Sequence, residues 1–163
     1  MDPMADSPTP PPPPILTASD RRLLREMRTA TLATLDPHGR PRLVPCCYDV
    51  HPGNDRLWTP IDEKPKRSTD PRQLGRVTDL LAWPAVGLLV DRWSENWSEL
   101  AWLRLYGQAT LLEPDEAPAV AERLVAIAAL RERYPQYRDH DLESRPIIAI
   151  EITEAVRWAT REG

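Results

Sequence analysis

The sequence predicts a mainly β fold, a small barrel of six or seven strands with a few helices at its periphery. Strand-like segments outnumber helical ones, and tight turns join neighbouring strands, which favours antiparallel pairing. The length of 163 residues fits a single domain that can build a full core without disulfide or metal supports. The absence of GxGxxG, phosphate-loop and GxSxG motifs weighs against a doubly wound parallel sheet and against the common hydrolases.

Composition and charge narrow the function classes. The formal net charge is −4 at pH 7, so the chain lacks the global positive field that collects nucleic acids or anionic membranes. It has no apolar stretch of about 18 residues and no export signal, so we expect a cytoplasmic protein without membrane or nucleic-acid partners. Cys46 and Cys47 are adjacent, and no spacing of cysteines indicates a disulfide framework or a metal site.

The N-terminal segment is rich in proline. Residues 8–14 are all proline except Thr9, a composition that favours an extended polyproline II conformation and offers nothing to bury. We therefore expect residues 1–16 to form a disordered leader and residues 17–163 to form one folded domain.

The first folded elements are predicted by local signals. Thr17 and Asp20 have the spacing of a capping box, which predicts a short helix. Residues 31–35 and 40–50 then form a predicted β-hairpin around the turn Asp36-Pro37-His38-Gly39.

The middle of the chain continues with strands and a helix. Pro45 lies inside the second strand, so that strand is expected at a sheet edge or at a bulge. A third strand is predicted over residues 56–60. Asp70 and Pro71 have the character of an N-cap and a first helical residue, and the helix that they begin ends before Pro84. Residues 85–90 are apolar without alternation, which is typical of a strand covered on both faces.

The clearest strand covers residues 100–112. Alternation gives it an apolar face of Leu103, Leu105, Ala109 and Leu111, and a mixed face of Trp102, Arg104, Tyr106, Gln108 and Thr110. A second surface is expected to cover the mixed face.

The C-terminal part of the chain is predicted as a helix followed by strands. The helix covers residues 114–133, and residues 147–152 and 156–158 are predicted as strands. One stripe of the helix is apolar and is expected to face the core. Its members are Ala117, Val120, Ala121, Leu124, Val125 and Ala128.

A basic loop follows the third strand and is the best candidate binding element. The loop contains two lysines, and they are the only lysines among the 21 basic residues of the chain. Cations, hydroxyls and a following helix N-terminus together form a plausible grip for a phosphate. Ser68 and Thr69 could instead cap the helix. The predicted grip consists of Lys64, Lys66, Arg67 and Ser68, with Thr59 at the end of the strand.

A tryptophan cluster is the second candidate. Trp93, Trp97 and Trp102 lie near Arg104 and predict an apolar slot, a subunit contact, or ordinary core packing. The three histidines lie in turns or in a charged loop, and no Ser/His/Asp set is evident, so the catalytic residues stay unassigned. If the protein is an enzyme, the simplest hypothesis is that a bound cofactor supplies the chemical reactivity.

Four segments of the chain resemble the pyridoxamine 5'-phosphate oxidase-like split-barrel superfamily, in particular its F420-dependent oxidoreductase branch. They cover residues 30–45, 57–68, 73–113 and 130–152. The likeness extends from Thr17 to Trp158. It implies a six-stranded antiparallel Greek-key split barrel with about three peripheral helices, and a homodimer with the cofactor at the subunit interface. It also implies a phosphate site at Thr59, Lys64, Lys66, Arg67 and Ser68, ring contacts at Val44, Pro45 and Cys46, and contacts from the partner subunit at Trp97, Trp102 and Arg104.

The resemblance also sets limits on the activity. The C-terminal residues 156–163 do not match the Arg-rich substrate signature of true pyridoxamine phosphate oxidases, so vitamin B6 oxidation is not expected. The expected activity is hydride transfer between F420 and an unsaturated small molecule, with a tyrosine or a water supplying the proton. The alternatives are an FMN-dependent oxidoreductase of the same fold and a non-catalytic carrier of a flavin or a tetrapyrrole.

Overall fold

Seven strands and three α-helices form the domain in the computed structural model, which describes residues 12–61 and 70–160. Short 3-10 turns cover Pro71–Gln73, Trp97–Glu99 and Pro135–Arg138. The elements in chain order are α1 (Ala18–Glu26), β1 (Ala30–Leu35), β2 (Pro41–Cys46), β3 (Asp49–Val50), β4 (Arg56–Pro60), α2 (Gly75–Ala82), β5 (Ala85–Arg92), β6 (Ala101–Leu112), α3 (Ala117–Arg133) and β7 (Ile147–Ala159).

All strands belong to one curled antiparallel sheet with the order β2-β1-β5-β6-β7-β4-β3. Its two edge strands, β2 and β3, are consecutive in the chain and are joined only by Cys47 and Tyr48, so the sheet curves round on itself as a half-barrel. The predicted fold class is confirmed. The strand count is seven rather than six, because the segment predicted as one strand over residues 40–50 is interrupted at Cys47 and Tyr48.

The β1–β2 hairpin forms as predicted. Gly39 adopts a φ of 75°, a conformation that side chains disfavour, and its N–H donates to the Asp36 carbonyl at 2.9 Å. The Asp36 carboxylate accepts from the backbone N–H groups of Arg40 and His38, and these bonds, that from Arg40 above all, lower its pKa to about 2. Pro45 lies in β2, at the sheet edge, as its sequence position predicted.

The domain begins slightly before the predicted boundary. The capping box is present, since the Thr17 N–H donates to Asp20 at 2.8 Å and the Asp20 N–H donates to Thr17 at 3.2 Å. Ile15 and Leu16 were expected in the leader, but the Ile15 N–H donates to Asp55 and Leu16 is buried in the core. Residues 1–11 of the predicted leader lie outside the described residues.

Two predicted elements change their extent. Asp70 caps the 3-10 turn Pro71–Gln73, and α2 begins separately at Gly75, because Leu74 between them is extended with a ψ of 135°. The two C-terminal strand segments form one strand, β7, whose pairing with β6 shifts register between Tyr106 and Gly107.

Helix α3 turns its predicted core stripe toward solvent. Val120, Leu124 and Val125 are exposed, whereas Ala126 and Leu130 are buried against the strands. Both faces of this Ala- and Val-rich helix are apolar, so the periodicity of the sequence did not identify the buried one. The expectation was therefore wrong at this element.

The core has two parts. The larger part fills the concave side of the sheet and includes Leu32, Leu88 and Leu105, and the smaller part packs α3 around Trp58 and Ile147. Within the described ranges, no helix is long and apolar enough to cross a bilayer, and no group of three potential metal ligands occurs.

Candidate functional site

A buried carboxylate joins the β1–β2 hairpin to α2. The Asp79 side chain on α2 is 1% exposed, and its Oδ2 accepts from Arg42 Nε at 2.7 Å and from the Thr34 hydroxyl at 2.8 Å. The hydrogen bond to Asp79 raises the pKa of Arg42, and Asp79 Oδ1 has no partner among the described residues. Arg42 is therefore held in one orientation by Asp79, and among the described residues it is the cation that pairs with this carboxylate.

Gly75, the first residue of α2, makes room for that arginine. A Cβ at this position would lie 2.7 Å from Arg42 Cζ and 2.9 Å from Nη1, closer than side chains pack. The guanidinium therefore lies against the start of the helix, where the first N–H groups have no partner within the helix and the helix dipole is positive. Arg42, which is 42% exposed on its side chain, remains accessible from solvent.

The predicted basic loop leads along the chain from β4 toward this helix. Lys64, Lys66, Arg67 and Ser68 lie outside the described residues, but the flanking residues are placed: Ile61 is buried at the end of β4, and Asp70 precedes the turn that leads into α2. The loop therefore connects the end of β4 to the helix on which Arg42 rests.

Thr59 and Cys46 lie inside the barrel. Thr59 is 1% exposed, and its hydroxyl forms a hydrogen bond with the Cys46 thiol. Burial raises the pKa of Cys46 to about 11, so the thiol is protonated at neutral pH. The structure makes Thr59 an interior residue, and a direct contact between its side chain and a bound phosphate is not available here.

Val44, Pro45 and Cys46 do not share one face of β2. Val44 and Cys46 pack against the core, while Pro45 points outward and is exposed. Because β2 is an edge strand, part of its backbone has no neighbouring strand to pair with. A ring lying along the open edge of β2 would therefore meet the strand backbone, not the core-facing side chains of Val44 and Cys46.

The convex side of the sheet, here named the outer face, exposes several large apolar side chains. Strand register aligns its side chains in rows that cross five strands. Leu43 is 65% exposed and Trp158 is 45% exposed, and the face has no helix over it among the described residues. One row contains Pro45, Thr31, Leu89, Arg104 and Val156, and the next contains Leu43, Ala33, Gly87, Tyr106 and Glu154.

The outer face corrects the expectation for β5. This strand was predicted to be covered on both sides, but Leu89 and Ala85 are exposed in the single chain. An exposed apolar patch of this extent is typical of an interaction surface.

Arg104 occupies the middle of the outer face. Its guanidinium lies 5.6 Å from the Trp102 ring centroid and 5.5 Å from that of Tyr106, and it has no carboxylate partner in the described part of the chain. Trp97 precedes β6, the strand that carries Arg104, and its side chain is 69% exposed. The Trp97 carbonyl accepts a hydrogen bond from the Thr160 hydroxyl at 2.7 Å.

The predicted site residues thus form two groups in one chain. Pro45 and Arg104 share a row but are separated by three strand spacings, roughly 14 Å. A single chain does not bring these two side chains onto one small ligand.

Sequence reasoning did not select two residues that the structure makes candidates. Arg42 is one of 19 arginines, and only the packing of α2 on the hairpin distinguishes it. Tyr106 is the only exposed tyrosine, since Tyr48, Tyr134 and Tyr137 are buried. The alternation of β6 placed Tyr106 on the mixed face, and this signal could have identified it.

Solved structures with low sequence identity share this architecture. The conserved hypothetical protein Rv2991 from Mycobacterium tuberculosis is 21% identical with a TM-score of 0.68, over 94% of this chain and 91% of that chain. The heme storage protein HutZ from Vibrio cholerae is 16% identical with a TM-score of 0.63, over 86% and 92%. A protein described as an F420 reductase is 21% identical with a TM-score of 0.58, over 83% and 94%. At these identities the likeness shows the fold alone.

Family membership rests on the sequence itself. No curated protein matches the chain. The sequence profile of the pyridoxamine 5'-phosphate oxidase family (PNPOx_N) matches residues 16–159, from the first buried core residue to the end of β7. This range includes all the strands and helices described above, and the chain therefore belongs to the pyridoxamine 5'-phosphate oxidase family, with its split-barrel fold.

Proposed function

We propose that this protein is a homodimeric F420-dependent oxidoreductase that transfers a hydride between the deazaflavin and an unsaturated small molecule. The observation that carries the proposal is the placement of Arg42 by Asp79 against the start of α2, beside an open edge strand and at the end of the basic loop. The likeness of the fold to an F420 reductase supports the proposal.

The residues present fit a phosphate-bearing cofactor. Arg42 supplies charge-assisted donors in a fixed orientation, and the start of α2 adds a partial positive charge. Lys64, Lys66, Arg67 and Ser68 would complete the grip from the loop. The paired Asp79 keeps the guanidinium in place before the ligand arrives, which lowers the entropic cost of binding.

Pro45 favours a deazaflavin over a flavin. Proline has no backbone N–H, so this position of the edge strand offers no amide donor to a ring lying along it. At the reactive position of its central ring, a flavin has a nitrogen acceptor where a deazaflavin has a carbon. A strand position without a donor therefore suits F420 better than FMN.

The outer face is suited to a second copy of the chain. Leu43, Leu89 and Trp158 would be covered in a symmetric dimer, and Arg104 of one subunit would approach the β2 edge of the other. Aromatic residues and arginine are enriched at the centres of such interfaces.

Tyr106 is the proposed proton donor. When bound, F420 would supply the hydride, and reduction of a double bond then needs one proton at the neighbouring atom. The Tyr106 hydroxyl group can donate it, because Tyr106 is the only exposed tyrosine and lies in the outer-face row next to that of Pro45 and Arg104. We expect Tyr106→Phe to reduce kcat by about 100-fold and to leave F420 affinity within about twofold.

Titration of the protein with F420 and, separately, with FMN tests the proposal, with tryptophan fluorescence as the signal. We expect tight binding of F420 and weak binding of FMN, and about tenfold weaker F420 binding in Arg42→Ala and in Lys66→Ala. Arg22→Ala, on the exposed side of α1, is the matched control and should change affinity less than twofold. Unchanged F420 affinity in both test variants would rule out the proposed phosphate site. Preferential FMN binding would indicate the flavin enzyme.

A carrier function is the second candidate, supported by the likeness to the heme storage protein HutZ. Single-turnover mixing of reduced cofactor with acceptor compounds separates it from an enzyme. A carrier binds its ligand without acceptor-dependent oxidation, whereas an oxidoreductase shows oxidation that Tyr106→Phe slows.

A further inference from the structure

A cavity of about 210 Å³ lies between α1, β3 and the end of α3. Three arginines line it, Arg21 and Arg25 on α1 and Arg133 on α3, together with one carboxylate, Asp49. Leu24 and Val50 supply apolar surface in the same cavity. At about 30 Å³ per water molecule, the space is large enough for a ligand with one small ring.

Two of the arginines are held in place by the fold. Arg21 pairs with Asp55 at 3.0 Å and donates to the His51 and Asn54 carbonyls. Arg133 donates to the carbonyl groups of Leu24 and Met27 at the end of α1, and its contact with Asp49 is long, at 3.4 Å. Their positions do not depend on a ligand, so the cavity is organised in advance.

Arg25 supplies charge that the fold does not balance. Among the described residues it has no carboxylate partner, whereas Arg21 and Arg133 each have one. Arg25 also lies four residues after Arg21 on the same side of α1, and like charges at this spacing destabilise a helix. After Asp49 and Asp55 are counted, the cavity keeps an excess positive charge in a chain whose net charge is −4.

The cavity is separate from Arg42 and the proposed phosphate end of the cofactor site. In the β1–β2 register, Thr34 pairs with Arg42 at the hairpin end, and Ala30 pairs with Cys46 at the other end. The cavity lies beyond that other end, at Asp49 and the helix that precedes β1. Four residues of strand, roughly 13 Å, therefore separate the two ends.

We propose that this cavity binds a small organic oxyanion, a carboxylate or phosphate attached to a short apolar body. The anionic group would pair with Arg25, with Arg21 and Arg133 adding to the positive field, and the apolar body would contact Leu24 and Val50. Asp49 opposes a second negative charge on its side of the cavity, so the ligand would present its anionic group to α1. This site is independent of the proposed oxidoreductase activity.

Three probes of nearly identical shape test the proposal: benzoate, neutral benzamide and cationic benzamidine, each followed by ligand-observed NMR titration. We expect saturable binding of benzoate, at least tenfold weaker binding of benzamide, and no saturable binding of benzamidine. Phenyl phosphate, titrated alongside, shows whether a phosphate or a carboxylate is preferred. Equal binding of benzoate and benzamide would overturn the proposal, because recognition would then not depend on charge.

Variants locate the binding. Arg25→Ala should weaken benzoate binding about tenfold, while Arg22→Ala, an exposed neighbour that does not line the cavity, should change it less than twofold. Both substitutions place alanine in an exposed helical position, so folding should be retained. Arg42→Ala separates this site from the cofactor site and should leave benzoate binding unchanged. If Arg42→Ala removes benzoate binding and Arg25→Ala does not, the anion binds at α2 and the proposed site is wrong.

Discussion

Arg42 and Asp79 form an ion pair that fixes the β1–β2 hairpin to α2, with Nε 2.7 Å from Oδ2. The Asp79 carboxylate is buried, and the Arg42 guanidinium is partly open to solvent. Asp79 therefore holds the positive charge of Arg42 at the start of α2. This relationship gives the candidate site its fixed cation.

Gly75→Ala should displace Arg42 without unfolding the protein. The new Cβ would lie 2.7 Å from Cζ, and the flexible arginine can move away more easily than the helix can. We expect about tenfold weaker F420 binding and a loss of up to about 2 kcal/mol in the free energy of unfolding, because the weakened Arg42–Asp79 pair is offset only in part by the helix preference of alanine over glycine, up to about 1 kcal/mol. Fluorescence titration and urea unfolding measure the two effects. Gly53→Ala, in a distant surface turn, is the control, and equal F420 affinities of the two variants would contradict the role of Arg42.

Asp79→Asn should lower both stability and cofactor affinity. A neutral amide cannot balance Arg42, and we expect a loss of about 1–3 kcal/mol in the free energy of unfolding. Thr34→Val removes only the hydroxyl bond and should cost about 1 kcal/mol. A double-mutant cycle with Arg42→Ala, measured on F420 affinity, tests whether Asp79 acts through Arg42. Strictly additive effects would show that it does not.

Leu89→Glu should dissociate the proposed dimer. Leu89 lies in the middle of the outer face and is already 40% exposed in one chain, so the chain should still fold, whereas burying a carboxylate in an apolar interface is unfavourable. Light scattering after size exclusion gives the mass. Leu124→Glu on α3, also exposed, is the matched control and should remain dimeric. Dimers in both variants would place the interface elsewhere.

Arg123→Met should destabilise the fold strongly. The Arg123 guanidinium is buried, it forms no ion pair with a carboxylate of the described residues, and burial lowers its pKa. Losing it leaves buried carbonyl groups without donors, and we expect a cost of about 3 kcal/mol in urea unfolding. A cost below about 1 kcal/mol would mean that water replaces the side chain. Arg123 donates to the carbonyl oxygens of Leu112, Leu142, Glu143 and Arg145.

Asp20 should contribute to acid sensitivity. Burial raises its pKa, but hydrogen bonds from Arg157 and Thr17 outweigh burial and hold the pKa below its ordinary value. The stabilisation is therefore complete above about pH 4 and is lost as the pH falls through the folded-state pKa. We expect the wild type to have a higher free energy of unfolding than Asp20→Asn at pH 7, and this difference to disappear as the pH falls to 2. Urea unfolding across this pH range measures it. A gap that does not depend on pH would contradict this role.

Much of the fold could be predicted because its signals are local. The capping box of Thr17 and Asp20, the turn that ends at Gly39 and the alternation of β6 each involve residues a few positions apart. For the proposed phosphate site, composition pointed to the basic loop but not to Arg42, because its partner Asp79 is 37 positions away.

The sequence by itself determined the capping box of α1, the β1–β2 turn and the approximate positions of most strands, since backbone conformation responds to near neighbours. Tertiary structure alone decided which apolar face of α3 is buried: Ala126 and Leu130 meet the sheet, while Leu124 faces solvent, although either face is apolar enough to pack. It also decided that β5 leaves Leu89 exposed on one side of the sheet. The physical reason is the same in both cases. Burial of a face depends on which part of the chain, distant in sequence, packs against it, and hydrophobic periodicity does not identify that part.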